Sequence, residues 1–377
     1  MERLKTAALR LDARQFAAYS TTPPTRPEWT AARAGLAAGS LLLVLVVLAG
    51  LVTGGWLVLR DFPSLTILPG LVLIAVAWAL RPRLGVEDTP WSVITRDAAP
   101  TLFALLDRIA DAADAPAPHV VALDFEFNAS ASVAGLRRRR MLTLGLPLWG
   151  VLSPGQRVAL LGHEFGHFVN GDPTRGLLTA PAVATPGILA DMVRPSSSTT
   201  GANLAIELAE RLIAPLQRLL ARGFLLVQAG VLIVALRDRQ RAEYCADAVS
   251  VRLAGTDAAV ALLDDAVAGE ALQTAIASAE RAVQTSVTAH RDHPGATTWR
   301  AAADRVRPGL DLESLRAESV AASTLWQGHP PSGLRARIVE SWPHQDPAVE
   351  LTEEDSARID AELSRWYAKA GRDLAWS

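Results

Sequence analysis

Two long uncharged stretches near the N-terminus constrain the fold of this chain more than any other feature. Residues 34–59 and 62–80 contain no charged side chain. A helix needs about 20 apolar residues to cross the hydrocarbon core of a bilayer. Trp56 and Trp78 lie near the ends of these stretches, as aromatic residues at membrane interfaces do. We therefore expect a transmembrane helical hairpin over residues 34–83; the alternative is a pair of buried helices in a soluble domain.

Basic residues on both flanks of the hairpin predict its orientation. Arg26 and Arg33 precede it, and Arg81 and Arg83 follow it. Because cytoplasmic flanks carry an excess of Lys and Arg, we expect a cytoplasmic N-terminal segment, residues 1–33, and a cytoplasmic domain after the hairpin. The chain is then an integral protein of the cell inner or plasma membrane, with the lipid bilayer as a partner.

Net charge and cysteine content argue against nucleic-acid binding, disulfides and cysteine-based zinc sites. The formal net charge is −2, which gives no indication of nucleic-acid binding. Cys245 is the only cysteine, so the chain forms no intrachain disulfide and no Cys-based zinc site.

Residues 163–167 read HEFGH, an HExxH motif. Residues four apart lie on one face of a helix, so the imidazoles of His163 and His167 can bind one metal ion there. Glu164 between them can act as a general base on a water molecule. The alternative is a core helix whose histidines are merely hydrogen-bonded.

Local signals bound the helix that carries this motif. Ser153 is a good N-cap and is followed by Pro, while Gly171 can end the helix in the left-handed conformation. We therefore expect a helix over residues 154–169. Gly162 and Gly166 each cost about 1 kcal/mol against Ala in a helix, which indicates that another element or a substrate approaches closely.

Residues 243–247 read EYCAD and offer a third metal ligand. A catalytic zinc keeps three protein ligands and one open position, and Glu243 is the best downstream candidate for the third. Asp247, on the same helical face, would accept a hydrogen bond from the far nitrogen of a ligating histidine. The alternative is an ordinary acidic helix surface.

The order of these motifs resembles the HtpX-like and CAAX-prenyl-protease-like membrane zinc metallopeptidases, of the HExxH gluzincin type. The resemblance covers roughly residues 34–338 and rests on the hairpin, HEFGH, NGD at 170–172, EYCAD and a late His-Pro. It implies a mainly α-helical fold: a zincin-like metallopeptidase domain with a small β-sheet over residues 84–345, preceded by the transmembrane hairpin. A C-terminal amphipathic helix is expected at 346–377.

The resemblance also implies roles for individual residues. One Zn²⁺ per chain would be bound by His163, His167 and Glu243, with Glu164 as the general base. Supporting contacts would come from Asn170, Asp172 and Asp247. A protein or peptide substrate would pair with the edge of the sheet, as extended peptides commonly do, at Asn128, Ala129, Ser130 and Ala131.

The late His-Pro motif of the family matches His329, with Arg335 six residues further on. The resemblance implies that His329 stabilises the oxyanion or holds the substrate and that Arg335 supports it. His293 is the weaker candidate for this motif. The chain departs from the family in having Ala242 between Arg241 and the third ligand, where an Arg usually contacts that ligand, so the role of Arg241 stays open.

Periodicity and turn residues predict helices at 98–113, 203–220, 257–288 and 352–370, and strands at 119–127 and 141–148. The apolar stretches at 176–190 and 223–236 fit buried, re-entrant or spanning helices. Either zero or two crossings keep both halves of the site on one side of the membrane, and we favour two membrane-embedded segments. Four Arg at 137–140 indicate a solvated or membrane-facing turn.

The expected activity is hydrolysis of peptide bonds in a membrane-associated substrate, for quality control or for processing of membrane proteins. Two alternatives stay open. A site-2-class protease would bury its motif in a membrane helix, which the polar residues Gln156, Arg157 and Asn170 disfavour. A non-catalytic scaffold would lack a ligand or the base, and none is missing here.

Overall fold

The fold is mainly helical, with one small sheet. A computed structural model describes residues 2–25, 30–60, 62–82, 92–134, 137–195, 204–285, 295–324, 326 and 328–375. Arg26, Arg83 and the alternative histidine His293 lie outside these residues. The helices are α1 Glu2–Tyr19, α2 Ala31–Leu59, α3 Ile67–Leu80, α4 Pro100–Ala113, α5 Leu146–Val151, α6 Pro154–Asn170, α7 Asp172–Val193, α8 Leu204–Ala254, α9 Thr256–Val267, α10 Gly269–Thr285, α11 Gly295–Val306, α12 Leu312–Ala321, α13 Ser332–Glu340, α14 Glu353–Glu362 and α15 Ser364–Ala375. The strands are β1 Ser92–Ile94, β2 Val120–Asp124, β3 Ala129–Ala134 and β4 Arg139–Gly145.

Tertiary contacts divide the chain into two compact units. The site unit comprises Met1–Pro27, Gly85–Pro173 and Arg239–Ser377, and the apolar unit comprises Glu28–Leu84 and Thr174–Asp238. This division differs from the boundaries expected from the sequence. The first 27 residues belong to the site unit, and the region 174–238 separates from the rest of the expected domain.

Three described helices have the dimensions of membrane spans, and most of their residues belong to the apolar unit. Ala31–Leu59, Asp172–Val193 and Leu212–Ala254 are long and apolar enough to cross a bilayer, which is consistent with a membrane protein. α2 and α3 pack through small residues: a Cβ on either Gly54 or Gly70 would lie 2.8 Å from the backbone oxygen of the other. Many large apolar side chains of these helices are exposed, among them Leu41, Leu42, Leu45, Val52, Leu71, Val72, Leu212, Leu216, Leu219 and Leu226.

The second hairpin helix is shorter than expected. α3 begins at Ile67 rather than at 62, and it has 14 residues. The turn before it is organised by hydroxyl groups, since Thr66 Oγ1 donates to the carbonyl of Leu57 at 3.0 Å and the Thr66 amide donates to Ser64 Oγ at 3.3 Å. These side chains compete with helical backbone bonds and so favour a turn.

The sheet lies in the site unit with the strand order β1-β2-β4-β3. β2 and β4 are parallel, whereas β1 and β3 pair with their neighbours in the antiparallel sense. β3 is therefore an edge strand, with β4 as its neighbour among the described strands. Ala129 pairs with Leu144 and Ala134 with Arg139.

The strand expected at 141–148 ends earlier than predicted. β4 stops at Gly145, and Leu146–Val151 forms the buried helix α5. Pro147 cannot donate to a ladder but is tolerated in the first turn of a helix. At Gly145 a Cβ would lie 1.9 Å from the carbonyl oxygen of Glu126, so the chain passes too close to its neighbour for any side chain there.

The helix of the HExxH motif forms as the local signals predict. α6 spans Pro154–Asn170, one residue longer than expected. Its capping box is present: Ser153 Oγ accepts from the Gln156 amide at 3.4 Å, and Gln156 Oε1 accepts from the Ser153 amide at 2.9 Å. Gly171 ends it with φ +69°, in the left-handed region.

Three expected helices have different bounds in the structure. The segments 203–220 and 223–236 belong to one helix, α8, because isolated glycines such as Gly223 cost a helix only about 1 kcal/mol. Where the structure describes the expected helix 257–288, which is as far as residue 285, the chain forms α9 and α10 instead of one helix. The C-terminal segment 346–377 contains α14 and α15, which meet at the fully buried Leu363.

The C-terminal helices are attached to α6 by a buried charge. Arg157 is fully buried, and its guanidinium donates to the carbonyl of Trp149, to Ser356 Oγ and to the carboxylate of Asp360. Tyr367 donates to the same carboxylate at 2.9 Å. The last two helices are therefore part of the packing that fixes α6.

Candidate metal centre

Two glycines let α6 approach α8 at backbone distance. A Cβ on Gly162 would lie 3.0 Å from the Cα of Ser250, and one on Gly166 would lie 2.8 Å from the Cα of Ala246. Ser250 Oγ also donates to the carbonyl of Ala159 at 2.8 Å. The close approach expected from these glycines is confirmed, and it brings the histidines of α6 to the acidic residues of α8.

His163, His167 and Glu243 meet at this contact. One ligand atom from each lies within 4.8 Å of the other two. The Nε2 atoms face Glu243, at 3.5 Å for His163 and 3.7 Å for His167. Glu243 is 1 % exposed, so water does not screen its carboxylate.

The outer nitrogen of each histidine faces a carboxylate. His163 Nδ1 lies 3.0 Å from Asp247 Oδ1, and His167 Nδ1 lies 3.1 Å from Asp172 Oδ2. Each carboxylate can accept a hydrogen bond from Nδ1–H and so leave Nε2 unprotonated, with its lone pair available to a metal ion. This is the position that the sequence suggested for Asp247.

Arg335 supports this arrangement from α13. Its guanidinium donates to both oxygens of Asp247, at 2.9 and 2.5 Å, and its Nη1 lies 3.5 Å from Glu243 Oε2. Burial opposes its charge, but the carboxylates of Asp247 and Glu243 raise its pKa. The structure places Arg335 against Asp247 and His163, not against the late histidine that it was expected to support.

The carboxylates also determine the charge of His163. Burial and the Arg335 charge lower its pKa, but Asp247 and Glu243 outweigh them and raise it to about 10. An imidazole that is protonated at neutral pH must lose that proton before it can bind a metal. A metal ion that bound here would therefore displace a proton from His163.

His329 lies at the open side of the cluster. Its side chain is 56 % exposed, and its Nδ1 lies 2.9 Å from Glu243 Oε2. Arg239 on α8 contacts its other side, with Nη2 3.2 Å from His329 Nε2. Sequence reasoning missed Arg239, although it precedes Glu243 by four residues and therefore shares its helical face.

The remaining expected residues occupy different surroundings. Glu164 is 5 % exposed and lies within α6 between the two histidines. Asn170 is buried at the end of α6, and its Nδ2 has no hydrogen-bond partner within the described part of the chain. Asn128 directly precedes the edge strand, and Ala129, Ser130 and Ala131 open that strand, which packs against α6.

The N-terminal helix α1 is the main contributor that the sequence did not reveal. Tyr244, next to Glu243, donates from its buried hydroxyl to Gln15 Oε1 at 3.0 Å. Gln15 Nε2 in turn donates to Gln240 Oε1 at 2.8 Å. The ring of Tyr19 lies 4.9 Å from that of Tyr244, and its hydroxyl accepts from Arg241 at 3.0 Å. α1 therefore fixes the stretch of α8 that carries Glu243, and Arg241 serves this contact.

The donor set fits zinc. Two imidazole nitrogens and one carboxylate are a common ligand set of catalytic zinc sites, which leave the fourth position open. Among the residues that the structure describes, none gives the buried Glu243 Oε2 a well-oriented hydrogen bond, although His329 and Arg335 lie near it. A cation at this position would satisfy that oxygen.

An HExxH helix facing a carboxylate on a second helix defines the class of HExxH metallohydrolases. The sequence model of peptidase family M48 matches residues 97–343, more than half of the chain. The chain belongs to peptidase family M48, which includes HtpX and the CAAX prenyl protease-like zinc metallopeptidases. It is a metallopeptidase of a family whose members generally bind zinc. No curated protein and no solved structure gives a significant match to it.

Proposed function

We propose that this protein is a membrane-bound, zinc-dependent endopeptidase with its metal held by His163, His167 and Glu243. The observation that carries the proposal is the convergence of these three ligand atoms within 4.8 Å, with an outer carboxylate on each imidazole. Metal-binding histidines almost always have such a partner for their second nitrogen. Two histidines with a purely structural role in a core would not need a buried carboxylate that faces both rings, as Glu243 does here.

The chain's own residues supply the remaining chemistry. Bound zinc would polarise the scissile carbonyl and make water more acidic. Glu164 takes the proton of the attacking water and delivers it to the nitrogen of the leaving amine. His329 is exposed at the mouth of the site, and its Nε2 accepts from Arg239, so its Nδ1–H, which faces Glu243, would donate to the oxyanion or to the substrate carbonyl. Asp247 and Asp172 keep the two imidazoles in the required tautomer.

The position of the motif supports a site outside the bilayer core. α6 is not among the described helices with the length and hydropathy of a membrane span. It also contains the buried Arg157 and the buried Gln156, which donates to Asp265 at 2.8 Å. These polar residues favour an M48-type catalytic unit over a site-2-class protease.

We place the site unit on the cytoplasmic side of the cell inner or plasma membrane, from the basic flanks of the hairpin. The substrate class that fits such a site is a membrane-associated protein or peptide. Its cleavage would serve quality control of membrane proteins or a specific maturation step.

Metal analysis of the purified full chain in detergent tests the proposal. We expect one zinc per chain and loss of peptide cleavage on chelation, with recovery when zinc is added back. His163→Ala and Glu243→Ala should lose both metal and cleavage, whereas Glu313→Gln, on an exposed carboxylate of α12, should lose neither. A His163→Ala protein that stays fully zinc-loaded would contradict the ligand set. An activity that survives exhaustive chelation would contradict the reaction class.

A further inference from the structure

Three exposed arginines stand at the far end of the edge strand. Arg139 pairs with Ala134, the last residue of β3, and Arg137 and Arg138 lie in the adjoining turn. All three side chains are exposed. Within the described part of the chain, none of them has a carboxylate partner, whereas the neighbouring Arg140 is fixed by donating to the carbonyl of Ala117.

The edge strand beside them is suited to main-chain pairing. β3 is bonded on one side by β4, and its first four residues, 129–132, carry only methyl or hydroxymethyl side chains. An added strand would run about 4.8 Å from β3 and roughly 10 Å from the backbone of β4. At that separation an arginine on β4 and an acidic side chain on the added strand can meet, because both side chains are long. β3 itself is roughly 20 Å in length, so the contact lies a few residues along the substrate from Ala129.

We propose that Arg137, Arg138 and Arg139 select substrates that carry acidic residues in the segment passing Ala134. The proposal rests on the peptidase function proposed above and names a substrate class for it. Guanidinium groups bind carboxylates through two parallel hydrogen bonds, which gives direction as well as charge attraction. The cluster lies on the β3–β4 hairpin, on the same element as the pairing edge, so a peptide held by that edge reaches it without further structure. This continuity favours an acidic peptide over an anionic membrane surface as the partner.

Quenched fluorescent peptides with one neutral central sequence and different flanks test the proposal. The flanks are three Glu, three Gln or three Lys, placed on either side of the centre. We expect the full-length wild type to cleave one acidic-flanked peptide with a KM about tenfold below that of its Lys-flanked counterpart, with similar kcat. Replacing all three arginines by Gln should remove the preference, and replacing them by Glu should invert it. The control carries the same change to Gln at three exposed arginines elsewhere, Arg305, Arg365 and Arg372, and should keep the wild-type preference.

Binding measurements separate this proposal from the peptidase proposal. Fluorescence anisotropy of the same peptides on Glu164→Gln requires no cleavage, and we expect the same order of affinities. Charge-dependent binding without any cleavage by wild type would support the basic surface while contradicting the peptidase function. A charge preference that persists in the Gln variant would overturn the proposal. The proposal would also be overturned if the Gln variant no longer bound phosphatidylserine vesicles but kept the wild-type KM for every peptide, because the three arginines would then contact the membrane and not the substrate.

Discussion

Asp247→Ala tests whether the contacts of Asp247 with His163 and Arg335 hold the candidate metal site in place. In the wild type Asp247 is 3 % exposed, accepts two hydrogen bonds from Arg335 and faces His163 Nδ1 at 3.0 Å. The variant leaves the Arg335 charge buried without its main partner, which costs about 3–5 kcal/mol of folding free energy. It also removes the acceptor of the His163 proton, and losses of such outer partners lower metal affinity by about 10–100-fold.

The double variant Asp247→Ala/Arg335→Met separates these two effects. Removing the unpaired charge should restore much of the thermal stability, because the remaining cavity is then lined by uncharged groups. Zinc affinity, measured by competition with a chelating dye, should stay low because His163 still lacks its acceptor. Asp264→Ala is the matched control: Asp264 on α9 also accepts two hydrogen bonds from one arginine, Arg316, at 2.6 and 2.8 Å, and it does not contact the histidines, so the variant should lose stability but keep zinc affinity. A folded Asp247→Ala protein with wild-type zinc affinity would refute the reasoning.

Three further predictions concern the surroundings of the site. Gly166→Ala should lower the free energy of unfolding by about 1–3 kcal/mol and weaken zinc binding, since its Cβ would lie 2.8 Å from a backbone carbon of α8. The control is Gly223→Ala, which has open space around it and should be neutral or stabilising in the same thermal and zinc titrations. Tyr244→Phe leaves Gln15 Oε1 without its donor and should lower the free energy of unfolding by about 1–3 kcal/mol, which would be measured as a lower melting temperature. An unchanged melting temperature would mean that α1 does not pack against α8 in solution. Asp12 is buried, and desolvation raises its pKa above that of the unfolded chain despite a hydrogen bond from Ser323. The contribution of Asp12 to the free energy of unfolding is therefore favourable at low pH, and it is lost as pH rises through the folded pKa. Asp12→Asn should stabilise the protein more at pH 8 than near pH 4.5, and an equal gain in stability at both pH values would contradict this.

The parts of the site that sequence could predict are those fixed by local spacing. Ser153 and Gly171 determine the ends of α6 through bonds within a few residues, and both ends were predicted to within one residue. The four-residue spacings of HExxH and of Glu243 with Asp247 place each pair on one helical face, whatever lies around them. Gly162 and Gly166 predict a long-range contact, because their cost in a helix requires a compensating close approach of another element.

The parts that sequence could not predict depend on which distant residues meet. Nothing in residues 2–19 indicates that Gln15 reaches Tyr244, since the polar pattern of α1 fits a solvated helix equally well. The family resemblance implies that Arg335 supports His329, but the packing of α13 turns its guanidinium toward Asp247. The need for glycine at position 145 follows from a carbonyl oxygen 1.9 Å from the position that a Cβ would take, a constraint visible only once the neighbouring segment is in place.

Zinc content and peptide cleavage of Glu164→Gln, measured on the same preparation, test the central claim most directly. The substitution keeps the size of the side chain and removes only its ability to take a proton. We expect a fully zinc-loaded protein with wild-type melting temperature and no detectable cleavage of a peptide that the wild type hydrolyses. Cleavage at a comparable rate by the zinc-loaded variant would show that Glu164 is not the base and would contradict the account.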